Sequence, residues 1–221
     1  MTTREKISLL QGYDDLAVLS SEHFINLKNL SYDNDTLVRS MVASLLVDFI
    51  NEESKSILQR LAQDKDELVR TEALDSSSVF PFHDVVEFLE KAILSETNGL
   101  ARSYAILSWT DVLLLLKGVT DEKVGFARQK RETEKSTKCA LSWCYALFMF
   151  GNDIFLNEML QFLKNDDYQI RCETLALLGD IINPNNEEQI KEAIKLLLVI
   201  ENTKSVRDRA ERFLEEKQLP S

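Results

Sequence analysis

Glycine and proline are scarce in this 221-residue chain, six and three respectively. That is too few for the turns of an all-β chain or for a disordered one. Cysteine is limited to positions 139, 144 and 172. An odd number without metal-ligand spacing gives no disulfide framework and points to a reducing, cytoplasmic setting. The two histidines, His23 and His83, have no second ligand at helical spacing, so neither a zinc site nor a Ser-His-acid set is indicated. Gly-x-Gly-x-x-Gly, Gly-Lys-Ser/Thr and His-Glu-x-x-His are missing, and with them any motif for a nucleotide, a cofactor or a metal. The most apolar run, 139–150, is well short of the about 20 residues that span a bilayer and reads as a buried helix. The first residues, Met1 to Ile7, contain Glu5 and do not read as a secretory signal. Bases are outnumbered, 26 against 37 acids, for a net charge of −11. A field of that sign repels nucleic acid and anionic membrane and attracts basic partners.

What the chain does have is a repeated phrase. It reads Asp35-Thr-Leu-Val-Arg39, Asp66-Glu-Leu-Val-Arg70, Asn98-Gly-Leu-Ala-Arg102, Glu134-Lys-Ser-Thr-Lys138, Asp167-Tyr-Gln-Ile-Arg171 and Thr203-Lys-Ser-Val-Arg207. The basic anchors are 31, 32, 36, 33 and 36 residues apart, a spacing that signals stacked helical repeats. The polar residue four before each base caps a helix, and the apolar residue just before the base begins its buried stripe. The fourth copy, Glu134 to Lys138, is the weakest match. Between anchors lies a second amphipathic segment, such as Ser54 to Gln63 or Asp84 to Leu94. Pro81 and Pro184 stand where such segments start. The expected architecture is all-α, an α-solenoid superhelix of about six helix pairs after a short N-terminal helix. It forms one repeat domain over residues 1–221, because a single pair cannot bury its own apolar face.

The turn Asp66-Glu-Leu-Val-Arg-Thr-Glu-Ala-Leu74, and its counterpart from Gln169 to Gly179, resembles the HEAT-like repeat family. The resemblance covers about residues 15 to 217. It implies that second helices line a concave face and that Asp and Arg of neighbouring turns form a ladder between repeats. Asp66, Asp167, Arg39, Arg70, Arg102, Arg171 and Arg207 are therefore given a structural role, and the arginine column is not read as a nucleic-acid stripe.

Counting the anchor as zero, positions plus 5 and plus 9 should face away from the buried stripe. They hold Asp48, Asp111 and Asp180 at plus 9, and Asp75 and Trp143 at plus 5. Acids around an aromatic suit a basic protein partner: the charge steers and the ring anchors. Residues 1–100 carry 18 acids and 9 bases, whereas the rest is near balance. A local basic run, Lys123, Arg128, Lys130, Arg131, Lys135 and Lys138, reads as phosphate-binding or as decoration of an exposed first helix. These features lead to the expectation of a non-catalytic, cytoplasmic protein-binding module. A short acidic HEAT-like chain resembles bacterial immunity proteins, which implies that Asp48, Asp75, Asp111, Trp143 and Asp180 cover a basic toxin. An adaptor for another complex is the alternative reading. HEAT-like DNA alkylpurine glycosylases are a further one, evoked by Trp109 and Asp111 but opposed by the net charge. Bilin lyases with related repeats would need a tetrapyrrole pocket that the sequence does not reveal.

Overall fold

In the computed structural model, residues 1–216 are described, and all regular structure among them is helical. A leading helix, α1 (Thr3–Asp14), precedes six pairs. The first helix of each pair is α2 (Ser21–Leu30), α4 (Glu52–Leu61), α6 (His83–Ser95), α8 (Asp121–Thr133), α10 (Ile154–Phe162) or α12 (Glu187–Ile200). The second is α3 (Thr36–Leu45), α5 (Glu67–Ser76), α7 (Gly99–Leu115), α9 (Thr137–Met149), α11 (Tyr168–Ile181) or α13 (Lys204–Glu216). Each anchor phrase opens a second helix, as its spacing indicates. No helix among the described residues is long and apolar enough to cross a membrane.

The chain divides into two compact units, residues 1–120 and residues from 121 onward. In the first, α1, α3, α5 and α7 stack side by side, with α2, α4 and α6 behind them. In the second, α9, α11 and α13 stack in the same way, with α8, α10 and α12 behind. The second helices approach closely because a small or β-branched residue recurs seven positions after the cap. Val42, Ala73, Ala105, Thr174 and Ala210 all occupy that place and are all 0% exposed.

The caps explain where these helices begin. The side chains of Asp35, Asp66, Asn98, Ser136 and Asp167 accept N–H groups of the first turn that would otherwise lack partners. Two residues before each cap, a further side chain accepts the cap's own N–H. This set comprises Asp33, Asp64, Glu96, Glu134, Asn165 and Glu201, at 2.7–3.0 Å.

That second set carries the ladder. Arg39 grips Asp64 through Nε and Nη2 at 2.7 and 2.8 Å. Arg70 holds Glu96 at 2.6 and 3.1 Å, and Arg171 holds Glu201 at 2.6 and 3.0 Å. Lys6 reaches Asp33 in the same sense, at 2.5 Å. Each of Arg39, Arg70, Arg102, Arg171 and Arg207 also donates Nη1 to the carbonyl six residues before it, at 2.6–3.0 Å. The arginine column is thus occupied in tying turns together. The acids differ from those expected: Asp66 and Asp167 are caps, and the ladder acids lie two residues upstream. Cap residues make a smaller link of their own, from Thr3 to Asp35 and from Thr36 to Asp66, at 2.9 and 3.3 Å.

Candidate functional site

Counting from caps, rather than from bases, identifies the face that the second helices leave open. In the first unit it comprises Leu37, Met41, Ser44 and Asp48 on α3 and the short helical turn that follows it. On α5 and its following turn it comprises Leu68, Glu72, Asp75 and Val79, and on α7 Leu100, Tyr104, Leu107 and Asp111. All are exposed or half-buried. Their spacing of three to four residues makes one strip per helix. Four of these twelve side chains are acids and none is a base.

Asp48, Asp75 and Asp111 therefore lie on three neighbouring helices of one unit. Asp48 shares a shallow groove with Gln11, Asp14, Met41 and Ser44. Asp111 borders another with Ser78, Val79, Leu114 and Leu115. Asp75 is on the middle helix, where its backbone carbonyl accepts the Ser108 hydroxyl at 3.3 Å. Its side chain reaches solvent, yet the surrounding protein hinders hydration of the carboxylate. That desolvation, with the Glu72 charge as a lesser cause, pushes Asp75 up to about 6.

The remaining two candidates belong to the second unit. Asp180 is exposed beside Arg209, Arg212 and Phe213. Trp143 corrects its assignment as a surface anchor, because it is 1% exposed and packs edge-on against Phe126 with centroids 5.9 Å apart. The cause is a register error in the fourth copy. The cap of α9 is Ser136, so Trp143 falls seven residues after a cap, at the buried position that Val42 and Ala73 hold elsewhere. Residues 139–147 are buried without a break, as a helix apolar all round must be. The acid that stands two residues before five of the six caps, with Asn165 in its place before Asp167, was the available signal for the true register.

Other candidates resolve into structural parts. Trp109 is 0% exposed and donates its indole N–H to Glu90 at 3.0 Å, so it lines no cleft. His23 completes a capping box with Ser20. Cys139, Cys144 and Cys172 are free thiols. Cys144 lies between Arg131 and Glu158 at 3.2 and 3.4 Å, and burial pushes its thiol up to about 12, which denies it a nucleophile's thiolate. In the basic run, Arg131 pairs with Glu158 at 2.9 Å, Lys138 with Glu173 at 3.7 Å, and Lys130 lies over the Phe126 ring. No group of three His, Cys, Asp or Glu side chains among the described residues is placed to hold a metal ion.

Residues 26–109 match the family model described as HEAT repeats. Three solved structures share the fold. YibA of E. coli aligns with a TM-score of 0.59 at 16% identity, over 97% of this chain and 76% of that one. The complex of CpcE and CpcF of phycocyanin lyase from Nostoc sp. PCC7120 aligns with a TM-score of 0.59 at 16% identity, over 98% and 94%. Human deoxyhypusine hydroxylase in complex with glycerol aligns with a TM-score of 0.50 at 14% identity, over 97% and 90%. Among curated proteins, none matches in sequence.

These likenesses correct the expectation of a non-catalytic binding module. A lyase and a hydroxylase are built on this helical-repeat fold, so a chain of such repeats lacking nucleotide and zinc motifs is not thereby excluded from catalysis. The immunity-protein reading, its toxin partner and the adaptor alternative are set aside with it, while the glycosylase alternative loses its ground because Trp109 and Trp143 are buried and line no cleft.

Proposed function

We infer that this chain is a component of a cytoplasmic enzyme that acts on a protein, which docks on the strip formed by α3, α5 and α7. Asp75 carries the reading. A carboxyl lifted to about 6 exchanges a proton near neutral pH, which an ordinary aspartate does not. Around it, Leu107, Tyr104 and Met41 offer apolar contact, while Asp48 and Asp111 flank it on the adjacent helices. A protein that is basic where it docks suits a strip with four acids and no base. In the phycocyanin lyase of Nostoc sp. PCC7120, CpcE and CpcF form a complex, and that precedent on the same fold supports work with a protein partner. The free cysteines support the reducing compartment.

The test is a photo-crosslinking residue at Leu107, introduced in the cells that make the protein and followed by intact-mass analysis of what it captures. The expected result is one protein, captured by the wild type and by Asp75→Asn alike, that carries a covalent change only where Asp75 is present. A captured protein of identical mass in both cell lines, or capture undiminished by Asp48→Lys with Asp111→Lys, would overturn the reading.

A further inference from the structure

The opposite layer of the second unit carries a surface that the strip does not use. Helix α12 buries Ile190, Ile194 and Leu197 against its own unit. It then exposes a second apolar set, Leu196 at 61%, Val199 at 81% and Ile200 at 68%. No other described helix exposes more than one large apolar side chain. The cause is a length mismatch. Gln189 of α12 donates to Asn157 of α10 at 2.7 Å, which sets Gln161 opposite Ala193 and Lys164 opposite Leu196. Because α10 ends at Phe162, the last six residues of α12 overhang it with no first-helix neighbour. Beyond the Asn157–Gln189 bridge a groove of about 330 Å³ opens, with Leu160 and Leu163 on one wall and Ala193, Leu196 and Ile200 on the other. Glu192 and Lys164 stand on its two rims.

We propose that this groove docks an amphipathic helix of a partner protein. That helix presents apolar residues at i, i+3 or i+4, and i+7, with basic residues on the edge that meets Glu188 and Glu192. The walls repeat every three to four residues along parallel helices, the pattern that receives a helix rather than a strand. Leu196 and Ile200 are exposed along the groove wall, and Val199 adjoins them on the same helix end. A second copy of this chain needs about 800 Å² per partner for a stable dimer, more than this patch offers. Charge fixes the orientation: acids Glu188 and Glu192 flank the end near the bridge, and Lys164 the end near the overhang.

The probe is a fluorescein-labelled 18-residue helical peptide with leucines at i, i+3, i+4 and i+7, lysines on one flank and a glutamate at the far end. Its binding to the full chain is followed by anisotropy. The wild type is expected to bind with micromolar affinity, and Leu196→Asp and Ile200→Asp to weaken it at least tenfold with the helical circular dichroism unchanged. A peptide with lysines and glutamates exchanged is expected to bind several-fold more weakly, and Glu188→Lys with Glu192→Lys to reverse that preference. Equal binding by wild type and both Asp variants would overturn the proposal. So would concentration-dependent dimerisation abolished by Ile200→Asp, which makes a second copy the occupant, or binding of neutral phospholipid vesicles in place of the peptide. None of these readouts involves Asp75 or the strip, so failure here leaves the reading of that surface standing.

Discussion

Arg39→Met is the perturbation that bears most directly on what holds adjacent repeats together. The guanidinium and the Asp64 carboxylate are nearly buried, with side-chain exposures of 4% and 7%, and they meet at 2.7 Å. Removing the base also releases the carbonyls of Asp33 and Asn34, which accept Nη1 at 2.8 and 3.2 Å. Asp64 keeps the Asp66 N–H at 2.9 Å but becomes a nearly buried carboxylate stripped of its hydrogen-bonded counter-charge, with the charge of Arg60 still acting on it. Breaking a buried pair from one side costs about 3–5 kcal/mol, most of it from the stranded partner rather than the lost attraction. With a urea m-value of about 2 kcal/mol per M, that lowers the midpoint by roughly 1.5–2.5 M. The loss should also depend on pH. Burial, the largest single influence, raises the Asp64 pKa, but the Arg39 hydrogen bond, the Asp66 N–H and the charges of Arg39 and Arg60 together more than offset it, so the folded value lies below the ordinary one. Its stabilisation is therefore present above the unfolded pKa and lost in acid, and the gap between wild type and Arg39→Met should narrow as pH falls below that value. Urea titrations followed by circular dichroism, at neutral and acid pH and with Asp64→Asn closing a double-mutant cycle, measure all of this. A loss under about 1 kcal/mol, the range of an exposed pair, would refute the buried-ladder argument.

Glu201 should govern acid stability in the second unit. Arg171 first, and then the Thr203 N–H and hydroxyl against an opposing burial effect, hold its pKa at about 2. The stability it contributes is complete above about 4.3 and lost progressively as pH falls toward about 2, so Glu201→Gln should flatten that part of the thermal-melting profile. Asp75 has the opposite sign. A carboxyl raised to about 6 favours the protonated folded state, so ionising it weakens the fold as pH rises from about 4 to 6. Asp75→Asn should accordingly raise the melting temperature at pH 8 and leave it unchanged at pH 4; equal shifts at both would contradict the environment assigned to it. Trp143→Ala should cost about 3–5 kcal/mol, the value for a buried aromatic, and a loss below about 1 kcal/mol in chemical denaturation would return the ring to the surface.

The helix pairs were legible because their signals are local. A cap, an apolar residue and a base recur at fixed spacing, and the Asn98-Gly99 pair reads as a helix start once no alternating strands flank it. The open face was legible where the anchor is a true arginine, at Asp48, Asp75 and Asp111. It was lost where Lys138 imitates one: the base stands two residues after the cap, so every position counted from it shifts, and a core tryptophan is read as a contact. The ladder acids were hidden for a different reason. Asp64, Glu96 and Glu201 belong to turns, where a carboxylate ordinarily reads as a solvated or capping residue, and only stacking brings them to the arginine of the preceding repeat. Nor does sequence periodicity report the lifted pKa of Asp75, which depends on how much protein surrounds an exposed side chain, or the unequal lengths of α10 and α12 that leave Val199 and Ile200 uncovered. Function was the least legible of all, since the same repeat builds enzymes and binding surfaces with no catalytic motif to separate them.

The decisive measurement is the rate at which the protein captured through Leu107 is converted by purified wild type and by Asp75→Asn, from pH 5 to 8. A proton-transferring group of this kind contributes about 10²–10⁴-fold. The wild-type rate should therefore change slope near pH 6, and Asp75→Asn should lose at least two orders of magnitude while still binding. Conversion by Asp75→Asn at the wild-type rate, with the same pH profile, would contradict the assignment of Asp75 and of the strip as the reacting surface.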